Sequence, residues 1–131
     1  MIYGIGCDLC EITRTEKSLL GAHGETFARR VYGLQEQAAL KLPWAETPPK
    51  SQCRSAAADF AAKEAFLKAA GRGIGGFDLA EIQALRQESG APYYALSGGA
   101  KAWLEENGLT AHLTLTHEGN MAMAVCILEK R

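Results

Sequence analysis

The chain opens on an alternation. In residues 2–9, IYGIGCDL, Tyr3, Ile5, Cys7 and Leu9 take one face, and Ile2, Gly4, Gly6 and Asp8 take the other. That period of two predicts a β-strand. Its glycine side lets another part of the chain approach closely, and Asp8 ends that side. Residues 13–22 suit a short helix, and residues 25–42 two helical pieces broken near Gly33. The segment 43–50 holds three of the four prolines and reads as a loop. The strongest helix covers 51–70, SQCRSAAADFAAKEAFLKAA, rich in alanine and stopped at Gly71. GRGIGG follows as a loop. Residues 77–87 hold a turn and the strand-like EIQALRQ, and SGAP turns the chain into a further strand, YYALS. A short helix over 98–107 closes at Gly108. HLTLTHE and MAMAVCILE then form a hairpin about a GN turn. One strand, then helices, then several strands predict an α+β fold. It has a mainly antiparallel sheet with the long helix packed on it, in one domain over residues 1–131.

Composition narrows the function classes. Lys and Arg number 14 and Asp and Glu 15, for a net charge of -1, so global charge argues against a general nucleic-acid binder. The N-terminus lacks the basic stretch, apolar run and cleavage site of a signal peptide. No stretch approaches the roughly 20 apolar residues of a membrane span. The expectation is a cytoplasmic protein that works without a membrane. Cys7 and Cys10 form one CxxC, but Cys53 and Cys126 make no second pair, and His23, His112 and His117 are scattered. Buried reduced thiols therefore outweigh a structural zinc site.

Three features could carry chemistry. GRGIGG fits GxGxxG literally, but it follows a helix instead of leading into one. It thus reads as a helix stop and loop, with a phosphate-passing loop as the lesser alternative. Glu64 and Lys68 share one face of the long helix with Phe60 and Leu67. They form either an exposed i,i+4 pair, worth a few tenths of a kcal/mol, or a partly buried pair suited to magnesium and a phosphate. Mg²⁺ commonly takes one or two carboxylates and completes its shell with phosphate and water. His117 lies on the apolar face of its strand, as a structural residue or as a ligand contact.

GIGCDLCEITR, FAAKEAFLKAAGRGIG and LTLTHEGNMAMAV, in that order and at that spacing, resemble the holo-acyl-carrier-protein synthase family, the short single-domain 4′-phosphopantetheinyl transferases. The resemblance spans nearly the whole chain. It implies a homotrimer with active sites between subunits. It implies Mg²⁺-dependent transfer of phosphopantetheine from coenzyme A to a serine of apo acyl carrier protein, with release of 3′,5′-ADP, serving fatty acid synthesis. Asp8 and Glu64 match the metal ligands, and Lys68 the phosphate-contacting lysine. Lys63, Gly71, Gly73 and His117 match positions near coenzyme A, and Arg14 a residue facing the carrier protein. The serine's proton acceptor is implied to be Glu64 or a metal-bound water held by Asp8.

The chain departs from the resemblance in places. Asp59 stands where these proteins usually carry arginine, before the phenylalanine of FAAKEA. If that arginine holds a coenzyme A phosphate, the contact is lost here or supplied by Arg54, Arg72 or another subunit. Thr116 stands where serine is commoner, and the loop 43–50 is richer in proline. Asp59 keeps open the alternative of a coenzyme A or nucleotide-binding trimer that is inactive, or that hydrolyses the pyrophosphate.

Overall fold

The structure, a computed structural model, describes residues 1–73 and 76–131. Its spine is α4 (Lys50–Ala69). Twenty residues at about 1.5 Å each make a rod roughly 30 Å long. Ala56, Ala57, Ala61, Ala62 and Ala65 are all fully buried along it. Side chains this small let neighbouring elements come close on several sides at once. The helix ends where the alanines do, and Gly71 takes φ +72°, the left-handed turn that glycine adopts without a Cβ penalty.

One side of α4 carries a three-stranded antiparallel sheet in the order β1–β5–β4: β1 (Ile2–Glu11), β5 (Met121–Lys130) and β4 (Leu109–Glu118). Register places Gly4 opposite Leu128, Gly6 opposite Cys126 and Asp8 opposite Ala124. These residues face the helix. The fit needs the glycines: a Cβ on Gly4 would overlap the carbonyl oxygen of Ala69, and one on Gly6 that of Ala65. The other sheet face carries Ile5, Cys7 and Leu9 beside Ile127, Val125 and Met123, and none of the other described elements covers it. Ile5 and Leu9 are each 60% exposed.

A second, two-stranded sheet pairs β2 (Ile82–Arg86) with β3 (Pro92–Leu96). A single sheet was expected; the strands divide in two, and both sheets pack against α4. Tyr94 of β3 donates to the carbonyl of Ala62 on α4 at 2.6 Å and meets Phe66 edge-on. The remaining helices are α1 (Ile12–Leu20), α2 (Gly24–Val31), α3 (Leu34–Leu40) and α5 (Gly98–Glu106). The break expected near Gly33 separates α2 from α3. At the hairpin tip, the carbonyl of Asn120 accepts the N–H of Ile12, and its side chain bonds Thr13. The tip thus fixes where β1 becomes α1. No helix among the described residues is long and apolar enough to cross a membrane.

Candidate active site

Asp8 follows Gly4 and Gly6 along the face of β1 that rides on α4, so it lies over the next turn of the helix. Lys68 Nζ is 3.2 Å from Asp8 Oδ1 and donates to the carbonyl of Cys7 at 2.9 Å. The expected i,i+4 contact with Glu64 is thus not what the ammonium takes. Glu64 sits half-buried beside Asp8. Burial pushes its carboxyl above the usual range and Asp8 pushes further, while Lys68 pulls it back. Both carboxylates line a groove of about 400 Å³ with Arg14 and Ser18 of α1 and with Phe27 and Phe60. The two phenylalanine rings stack 6.3 Å apart and make an apolar wall.

Among the described residues no three His, Cys, Asp or Glu side chains gather as a metal site. The donor set is therefore two hard carboxylate oxygens with the groove open beside them. That set suits Mg²⁺, which binds through one or two carboxylates and leaves positions for phosphate and water. It does not suit zinc, which prefers three or four nitrogen and sulfur ligands. Cys7 is exposed, Cys10 half-buried, and Cys53 and Cys126 buried, all four free. The expectation of buried thiols thus holds for only two.

Lys63, expected to contact coenzyme A, points the other way. Its side chain is fully enclosed. The ammonium donates to Glu36 and to the carbonyls of Leu79 and Ile82 at 3.1 and 2.8 Å. The second oxygen of Glu36 accepts the N–H of Ala84 at 2.9 Å, and the first also accepts that of Gly33 at 3.0 Å. Burial pushes Lys63 down and Glu36 up, and each is pulled back by the other. Successive helical residues diverge by about 100°, so Lys63 faces the core while Glu64 faces the groove. The Lys63 ammonium has no free direction left for a phosphate.

His117 lies in a second concavity, of about 250 Å³, with Arg54, Arg86, Ser51, Ser55 and Thr116. Arg54 is the residue weighed as a substitute for the displaced arginine. Arg72, the other candidate, stacks over Phe77 at 5.0 Å and Trp103 at 6.0 Å. Sequence reasoning missed Arg86. It ends β2, and its Nη2 lies 2.7 Å from Oδ1 of Asp59, whose side chain is only 4% exposed. Gly71 and Gly73 have open space around them, with nothing within 4 Å of where a Cβ would stand. The GxGxxG reading falls partly on residues 74 and 75, which lie outside the described residues.

Known proteins resemble this chain over its whole length. Residues 4–126 match the 4′-phosphopantetheinyl transferase superfamily. The holo-[acyl-carrier-protein] synthase of Herminiimonas arsenicoxydans is 41% identical over 132 residues and covers 100% of both chains. That of Delftia acidovorans is 37% identical, covering 100% of this chain and 99% of its own. The crystal structure of the Neisseria meningitidis holo-[acyl-carrier-protein] synthase superimposes with a TM-score of 0.81 at 33% identity, over 99% of this chain and 100% of that one. The Bacillus anthracis enzyme in complex with CoA (3′,5′-ADP) gives 0.79 at 30% identity, over 100% and 99%.

Proposed function

The chain belongs to the 4′-phosphopantetheinyl transferase superfamily, among the holo-acyl-carrier-protein synthases, and we propose that it moves phosphopantetheine from coenzyme A to a serine of apo acyl carrier protein, with Mg²⁺ and with release of 3′,5′-ADP. The observation that carries this reading is the convergence of Asp8 and Glu64 at one groove, with Lys68 paired to Asp8, from a strand and a helix held together by glycine contacts.

The serine oxygen bonds to the phosphorus on the pantetheine side of the pyrophosphate. The bond from that phosphorus to the bridging oxygen breaks, and the bridging oxygen leaves on 3′,5′-ADP. Asp8 and Glu64 would hold Mg²⁺, which would supply charge neutralisation at the phosphates. Lys68 offsets the charge that builds on the leaving group. Glu64, which lines the groove beside Asp8, or a water held there by Asp8, takes the serine proton. Gly71 and Gly73 keep the loop after α4 bare where coenzyme A passes, and His117 contacts its nucleotide end. Arg14 on the groove rim, with Lys17 and the Arg29–Arg30 pair, meets an acidic carrier protein. Such contacts act mainly on encounter rate and weaken with salt.

The assembly is a homotrimer. The uncovered apolar face around Ile5, Leu9, Val125 and Ile127 supports this, since contiguous apolar surface on a sheet marks an interface. The groove and the His117 pocket supply the second support. They lie on different faces of α4: Ser55 and Glu64, nine residues apart, differ by about 180° around the helix axis. One ligand that uses both takes them from neighbouring subunits.

The test is mass spectrometry of apo carrier protein incubated with the enzyme, coenzyme A and Mg²⁺. The expected result is a gain equal to one phosphopantetheine arm. Asp8→Ala and Glu64→Ala should each abolish that gain and weaken Mg²⁺ binding. Release of 3′,5′-ADP without any mass gain would turn the reading to hydrolysis.

A further inference from the structure

The pocket at the end of β4 holds two guanidinium groups and an imidazole, from Arg54, Arg86 and His117, with the hydroxyls of Ser51, Ser55 and Thr116. Cations with hydroxyl donors and no free carboxylate suit a phosphate. Among the described residues no acid lines the pocket, and Asp59 sits behind Arg86: its side chain is 4% exposed, that of Arg86 31%. Arg86 turns Nη2 toward Asp59 as an ion pair, and its Nη1 donates to the carbonyl of Ala84 at 3.4 Å. A guanidinium has five N–H donors in a fixed fork, so three remain for a ligand.

The pair is an odd use of the core. Oδ1 of Asp59 lies 2.7 Å from Arg86, but out of alignment for a hydrogen bond. Burial raises the Asp59 carboxyl to about 7, although Arg86 pulls against this. A helix rich in buried alanine would be served as well there by one more. A carboxylate kept at such a position has a use outside packing. That use is orientation. Arginine has many rotamers, and a side chain ordered before the ligand arrives spares the binding step that entropy.

We propose that Asp59 and Arg86 work as one unit, in which the buried carboxylate positions the guanidinium so that Arg86, with Arg54 and His117, binds the phosphomonoester of coenzyme A. This rests on the coenzyme A reading above. The pyrophosphate is committed to the Asp8–Glu64 groove, so the 3′-phosphate is the one remaining for this basic pocket. On this view the positive charge comes from β2, and Asp59 in α4 is its anchor.

The test compares coenzyme A with 3′-dephospho-coenzyme A in the transfer assay. Wild type should show a KM for the dephospho form that is higher by about tenfold to a hundredfold, the range of hydrogen bonds between charged partners. Arg86→Gln should bring the ratio of the two KM values down toward one. Asp59→Asn should lower it partway, and Arg86→Lys should hold it between wild type and Arg86→Gln. A folded Arg86→Gln that loses rate equally on both substrates, with the ratio kept, overturns the proposal. Calorimetric titration with adenosine 3′,5′-bisphosphate and with adenosine 5′-monophosphate asks the same question without turnover. Tighter binding of the bisphosphate that Arg86→Gln abolishes supports the pocket, and equal binding of the two by wild type overturns it. If wild type transfers nothing, the function reading falls while this titration still decides the pocket.

Discussion

Lys63 and Asp59 stand one turn apart on α4, and each carries a charge into the interior. Lys63 is answered in full: its ammonium has three acceptors, and its partner Glu36 accepts from two backbone N–H groups besides. The pair ties α3, α4 and β2 together and shows nothing to solvent. Asp59 has one cation, reached at the edge of the core, and an oxygen with no aligned donor. A buried charge with every direction occupied fixes a fold. One left partly unanswered is available to a ligand through its partner. The difference separates structure from function on one helix face.

The comparison is broken most easily at Lys63. Lys63→Met leaves the Glu36 carboxylate enclosed without its cation, and should cost about 3–5 kcal/mol, read from urea denaturation. Adding Glu36→Gln should recover part of that loss. A single-variant cost below about 1 kcal/mol would place the two pairs in one class.

Effects at the open pair depend on pH. Asp59→Asn removes a carboxyl whose native pKa is raised from 3.8 to about 7. Below pH 4 the group is neutral folded and unfolded, so it carries no penalty. Between pH 4 and 7 the unfolded chain ionises first, and the wild type loses stability relative to the variant. Above pH 7 both states are ionised and the gap is constant. The stability of Asp59→Asn minus that of wild type, read from urea denaturation, should therefore rise from pH 4 to 7 and then level off, by an amount on the order of 4 kcal/mol. Arg86→Gln should cost least, about 1 kcal/mol at pH 6, because the orphaned carboxyl takes up a proton. The cost should grow above pH 7, where that proton is harder to hold. A loss independent of pH would mean that Asp59 is not what Arg86 serves.

Much of this was legible in the chain. The alternation of IYGIGCDL placed Asp8 on the glycine face, and that face is the one that meets α4. The alanine run and Gly71 marked the long helix and its end, and the GN turn marked the hairpin. Local signals suffice where local physics decides. They failed for Lys63, whose side-chain type suits a phosphate as well as a core carboxylate; only the position of Glu36, 27 residues earlier, distinguishes them. They failed for Arg86 for the same reason, since nothing within EIQALRQ announces a partner at Asp59. The division of the strands into two sheets depends on long-range pairing, which no short window of sequence carries.

Gly4 and Gly6 set a distance as well as a fit. With no side chain between strand and helix, the spacing of β1 from α4 is that of backbone against backbone. Asp8 and Glu64 inherit that spacing, one from each element. On the proposed function, Mg²⁺ affinity is therefore a ruler laid across the strand–helix seam. Gly6→Ala pushes that seam apart by about the width of a methyl group, and Mg²⁺ binding should register the movement even in a variant that remains folded.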